Sequence, residues 1–271
     1  GSRAHFCAWA VDQYDDMPSD DPIKIRRLLD AFGRPAVVIG VENGVGKGSC
    51  RSVRGFELTC PQQASVTLGR FVDQIQLARV GDLAERARDG IAIHAAAVAL
   101  AGRGLLLPGS PEAGKTTLAA WLASRGFDYL TDELAFVPDG TALVLGLGRP
   151  LNVRPASRFA WQAAAPTTSG LVLEGNDFDL VHPSLLGRSP LEPVPLSGVI
   201  LPQHDPCQPS ALRAIGRAEA AFLLLGCVTN GAGLPDHGLA ALTRLTRSVP
   251  THQLRYRDAS EAEALIRPML L

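Results

Sequence analysis

Eight consecutive residues constrain this chain more than any others. Gly109-Ser110-Pro111-Glu112-Ala113-Gly114-Lys115-Thr116 fits the pattern GxxxxGK[ST] without a mismatch. The context fits as well. Leu105 to Pro108 is a continuous apolar run that reads as a strand buried on both faces. After the motif, Leu118, Trp121 and Leu122 fall on one face of a helix, which Gly126 ends after Arg125. A strand, a glycine turn and a helix in that order belong to an α/β architecture. The glycines let backbone N–H groups turn onto phosphates, and the helix N-terminus adds a partial positive charge beneath them. Lys115 can reach the β- and γ-phosphates, and the Thr116 hydroxyl is placed to hold Mg²⁺. The expected nucleotide-binding set therefore runs from Gly109 to Thr116 and on to Thr117, with ATP and Mg²⁺ as the ligands.

The next apolar segment, Phe127 to Leu130, reads as a short strand that carries Asp132 and Glu133 to its C-terminal end. In a parallel sheet, ligands sit outside the carboxyl ends of the strands. Both acids should then face the phosphates. One can hold Mg²⁺, and the other can take a proton from an attacking hydroxyl. Gly40 to Gly48 imitates the phosphate loop but lacks its first glycine in register and the hydroxyl after Lys47, so it reads as a flexible glycine-rich turn. His94 lies in the almost uncharged strand Ile91 to Leu100, followed by a turn over Ala101-Gly102-Arg103-Gly104.

Composition narrows the setting. Lys plus Arg number 26 and Asp plus Glu 27, a net charge of −1, which provides no basic footprint for nucleic acid or an anionic membrane. No apolar run approaches the roughly 18 residues of a membrane span, and no signal peptide is visible. Cys7, Cys50, Cys60, Cys207 and Cys227 form no CxxC pair, so reduced cysteines in a cytoplasmic protein are expected.

The texture changes at Gly90. Residues 1–90 read as a small N-terminal α+β unit, and residues 91–271 as the catalytic domain. In the first unit, Asp21-Pro22 opens an expected helix with Ile25, Leu28, Leu29 and Phe32 on one face. Ala36 to Ile39 and Phe56 to Thr59 read as strands, and Val66 to Arg88 as helical. In the second, Leu134 to Leu145 reads as a hairpin around Asp139-Gly140. Arg149 and Arg154 are candidates for clamping a phosphate or a substrate carboxylate. Residues 162–195 read as a substrate-facing loop region. Ala218 to Leu225 reads as a helix, and Leu239, Leu242 and Leu245 mark the face of another. His252 to Tyr256 reads as a closing strand, and Ser260 as the cap of the last helix.

The order of these parts resembles the C-terminal catalytic domain of bacterial HPr kinase/phosphorylase. The shared features are a strand with a histidine (His94), a glycine turn, a second strand, the phosphate loop, a helix ending in Arg125-Gly126, and an acid pair (Asp132-Glu133). His94 lies 15 residues before Gly109, and Asp132 lies 17 after Lys115, as in that family. The resemblance covers about Ile91 to Val137. It implies that Asp132 is the acid/base acting on a serine hydroxyl, that His94 interacts with it, and that Glu133 joins Thr116 on the metal side. It also implies a homo-oligomer. Glu133 replaces the family's second aspartate, and Thr117 stands where the bifunctional enzymes carry a glutamate. The pattern is closer to stand-alone HPr-kinase-like proteins, some of which look like tailoring kinases of lasso peptide precursors. The leading expectation is ATP-dependent phosphorylation of a serine on a peptide or small protein. A kinase for a small hydroxylated metabolite and a non-catalytic nucleotide-binding module are the alternatives.

Overall fold

The computed structural model describes residues 26–29, 35–42, 45–50, 56–59, 76, 80–81, 83–84, 87–162, 172–173, 178–190 and 192–271. In the N-terminal part, strands β1 (Arg26–Leu29), β2 (Pro35–Glu42), β3 (Val45–Cys50) and β4 (Phe56–Thr59) form an antiparallel sheet in sequence order. Two expectations change here. Arg26–Leu29 is a strand where the spacing predicts a helix, because pairing with Val37 to Ile39 supplies hydrogen bonds that local propensity does not. The glycine-rich stretch is largely strand, with Gly40 opposite Lys47 across β2 and β3. Asp21-Pro22 lies outside the described residues. Of the helical reading over 66–88, Gln76, Val80, Gly81, Leu83 and Ala84 are described, and they are helical.

The fold is α/β, and its central sheet is mixed. It comprises β5 (Gly90–Leu100), β6 (Arg103–Pro108), β7 (Asp128–Thr131), β8 (Leu134–Pro138), β9 (Leu143–Gly146), β13 (Val194–His204), β14 (Ala211–Ala214) and β15 (Thr251–Tyr256). Only β13 with β6 and β13 with β15 pair in parallel, and the other described pairings in this sheet are antiparallel. The parallel sheet assumed from sequence is therefore corrected. Ala101 and Gly102, at φ 51° and 76°, make a tight hairpin turn that sends β6 back along β5. The β8–β9 hairpin forms where Asp139-Gly140 predicts it.

Period-two alternation divides the core. Ile91, Ile93, Ala95, Ala97 and Ala99 of β5 face α3 (Arg217–Leu225) and α4 (Leu239–Ser248), through Leu224, Leu242 and Leu245. Ala96 and Val98 face α1 (Lys115–Ser124) and α5 (Ala259–Ile266), through Leu118, Ala119, Leu122, Ala262 and Ile266. Alanine dominates β5, so helices on both faces approach closely. Leu239 departs from the expected buried face and is 45% exposed. The cap of α5 is Asp258, whose Oδ1 accepts from the N–H groups of Ser260 and Glu261 at 3.0 and 2.9 Å, so Ser260 is not the cap. Within 162–195, the described residues depart in part from the expected loop. β11 (Val172–Leu173) and β12 (Asp179–Val181) join β10 (Leu151–Val153) in a small sheet. That sheet and the short helix α2 (Phe159–Gln162) pack against α1 through Leu151, Val153, Val181, Ala160 and Trp161. Among the described residues no helix is long and apolar enough to cross a membrane.

Candidate active site at the phosphate loop

The loop leaves β6 at Gly109 and enters α1 at Lys115. Glu112 and Gly114 take positive φ, 69° and 87°, which turns the chain sharply enough to form a cradle. A Cβ on Gly114 would run into the Tyr256 hydroxyl and stand 3.3 Å from His204 Cβ. Gly114 provides no side-chain cap for α1. The first-turn N–H groups are therefore left to an anion. Lys115 is buried, and its Nζ donates to the carbonyls of Gly109 and Ser110, both at 2.8 Å. Burial lowers its pKa, while Glu133 first, then Cys227 and Asp132, oppose that shift. The Tyr256 hydroxyl donates to Gly114 O at 3.2 Å, and burial pushes its pKa up to about 12.

The two acids occupy the break between β7 and β8. Both strands pair with the same long β5: β7 with Ala97 to Ala99, β8 with Gly90 to His94. Asp132 and Glu133 form a bend there. Both act electrostatically on Lys115, but their surroundings differ. The Asp132 side chain is 1% exposed; its Oδ1 accepts from the Tyr129 hydroxyl at 3.0 Å and from Arg149 Nε at 3.3 Å. Burial raises its pKa against the opposing pull of Arg149. Glu133 is 26% exposed and meets His94 Nδ1 at 3.3 Å. Its backbone carbonyl also lies 3.1 Å from that nitrogen. Burial alone would raise the Glu133 pKa, but the His94 contact, Arg149 and Lys115 together lower it. The resemblance pairs His94 with Asp132; in this fold His94 meets Glu133.

No family model matches the chain. Among solved structures, the Hpr(Ser) kinase/phosphatase from Coxiella burnetii is 15% identical, with a TM-score of 0.33 over 65% of this chain and 88% of that one. Among curated proteins, a 34-residue stretch is 56% identical to the single-stranded-DNA-specific exonuclease RecJ of Bacillus subtilis (strain 168). It covers 12% of this chain and 4% of that protein's length.

A second wall comes from far along the sequence. Cys227 to Asn230 lies against the first half of β5, where β6 does not reach. His94 N donates to Cys227 O at 2.8 Å, and Thr229 N to Ala92 O at 2.8 Å. Buried Asn230 fixes this segment. Its Oδ1 accepts from Ala92 N, and its Nδ2 donates to the carbonyls of Ala87 and Gly90. The Cys227 thiol sits beside the Gly109 N–H and Lys115, and burial raises its pKa. None of this is visible in the sequence, since an asparagine that pairs with backbone looks like any other.

Two clefts flank the loop. One, of about 330 Å³, is lined by Lys115, Thr116, Thr117, Asn152, Arg154 and Ser157 among others. The other, of about 610 Å³, runs from Gly109–Ala113 over the ends of β13 and β15. The two arginines separate. Arg149 is buried against the acid pair, with Nη2 3.8 Å from Glu133 Oε2, and serves the carboxylates instead of lining the open cleft. Arg154 lines the smaller cleft, and its Nη2 lies 3.1 Å from Glu112 Oε1 of the loop. Among the described residues no group of three or more His, Cys, Asp and Glu side chains gathers to hold a metal. A cation carried by nucleotide phosphates needs only one or two protein oxygens, and Thr116 in the first turn of α1 fits that demand.

Proposed function

We propose that the chain is an ATP-dependent phosphotransferase that phosphorylates a serine hydroxyl on a peptide or small protein. The resemblance puts forward the C-terminal serine of a lasso peptide precursor as the acceptor. One observation carries the reading: the lysine of the phosphate cradle and a carboxylate–histidine pair sit within electrostatic reach of each other at one end of the sheet. A module that only bound nucleotide would need the cradle but not the acids. In this reading Gly109 to Thr117 hold the phosphates, with Lys115 exchanging its loop carbonyls for phosphate oxygens. Mg²⁺ bound with the nucleotide and held by Thr116 would neutralise charge on the transferring group. Arg154 lines the cleft as a phosphate contact. One carboxylate of the acid pair orients and deprotonates the acceptor hydroxyl.

The test is titration of MgATP into the wild-type protein and Lys115→Ala, beside a radiolabel assay with a serine-containing peptide. Binding should be Mg²⁺-dependent and lost in Lys115→Ala, and label should enter the peptide. Unchanged affinity in folded Lys115→Ala would sink the nucleotide assignment. Binding without ATP consumption would refute transfer. Turnover stimulated by a small hydroxylated metabolite and by no peptide would move the acceptor to that class.

A further inference from the structure

Resting on the phosphotransferase reading, we infer that Glu133, and not Asp132, is the carboxylate that receives the acceptor hydroxyl's proton, with His94 as its positioning residue. The placement of the two side chains carries this. Asp132 is enclosed, and its Oδ1 is occupied by the Tyr129 hydroxyl and by Arg149 Nε. No acceptor hydroxyl reaches it without opening that core. The Glu133 side chain is 26% exposed against 1% for Asp132, and it is the leading favourable charge around Lys115, whose head group marks the phosphate end of the cradle. His94 Nδ1 fixes Glu133 from two directions, through the carboxylate and the backbone carbonyl of the same residue. His94 is itself fixed, because its N–H donates to Cys227 O on the opposite edge of β5. In the step, the acceptor oxygen forms its bond to the γ-phosphorus as the bond to the β-bridging oxygen breaks. ADP leaves with that electron pair, and the hydroxyl proton passes to a Glu133 oxygen. Asp132 works as a buried strut that joins Tyr129 to Arg149 and so keeps Arg149 beside Glu133.

The experiment compares Glu133→Gln, Asp132→Asn and His94→Gln in the full chain. It measures MgATP affinity, the Mg²⁺ concentration for half-maximal transfer, single-turnover transfer to a serine peptide and the thermal midpoint. Removal of a general base typically costs ~10²–10⁴-fold in rate. Glu133→Gln should show that loss with ATP affinity and the Mg²⁺ midpoint unchanged. His94→Gln should lose about 10-fold in transfer without a matching change in the acceptor KM, as expected when the base is misplaced and not removed. Asp132→Asn should lower the thermal midpoint yet transfer within a few-fold of wild type per folded molecule. Tyr129→Phe, which removes one of the strut's hydrogen bonds and leaves both acids, should behave likewise. Near-normal transfer by Glu133→Gln, or a loss that extra Mg²⁺ restores, would overturn the inference. So would folded Asp132→Asn or Tyr129→Phe that bind ATP but transfer nothing. The phosphotransferase reading fails separately, if wild-type protein binds ATP and transfers nothing to any acceptor.

Discussion

Gly114 and Gly102 share nearly the same backbone strain, at φ 87° and 76°, but not the same surroundings. A Cβ on Gly102 meets nothing within 4 Å, whereas one on Gly114 collides with the Tyr256 hydroxyl. Gly102→Ala should therefore cost only the conformational penalty, about 1–2 kcal/mol. Gly114→Ala should cost more and also remove MgATP binding, because the cradle must widen. Urea unfolding of both variants beside calorimetric ATP titration checks the contrast, and equal stability losses with ATP binding intact would contradict it. The motif glycine was legible at this scale because the pattern encodes the backbone shape directly. The fates of His94 and the two acids were not. Adjacent carboxylates look equivalent in a sequence, and only the fold separates them, setting Tyr129 against Asp132 and His94 against Glu133 while Arg149 reaches both.

At the scale of elements, apolar spacing read well where both sides of an element are covered. β5, β6 and α1 appear where the runs predict them, since the sheet is enclosed by helices on both faces. It read poorly where the partner is distant or missing. Arg26–Leu29 has helical spacing but pairs as a strand. Leu239 matches the heptad-like face of α4, yet it stands at the first residue of the helix and stays 45% exposed. The two cases give a paired prediction. Leu118→Ala, at 0% exposure beneath the sheet, should cost about 2–5 kcal/mol through lost burial and the cavity it leaves. Leu239→Ala should stay within about 0.5 kcal/mol. Denaturant midpoints with unchanged slopes would measure both. A loss at Leu239 as large as that at Leu118 would show that another surface covers α4.

For the whole molecule, the two lysines that follow glycine-rich stretches have different structural settings. Lys115 opens a helix at the cradle, whereas Lys47 lies in β3, opposite Gly40 in a four-stranded antiparallel sheet. Lys47→Ala should leave MgATP affinity within about two-fold of wild type, a difference of less than ~0.5 kcal/mol. A ten-fold loss by the same titration would mean that the first sheet takes part in nucleotide binding. The position of Cys227 to Asn230 has a temporal consequence. This segment follows Glu133 by 94 residues, yet it supplies the wall that anchors His94 and borders Lys115. During synthesis the loop, its lysine and both acids leave the ribosome long before that wall exists. A nascent chain therefore carries a phosphate cradle without a finished reaction chamber. The chamber closes only once Cys227 to Asn230 has emerged, so phosphoryl transfer by this reading waits for that segment.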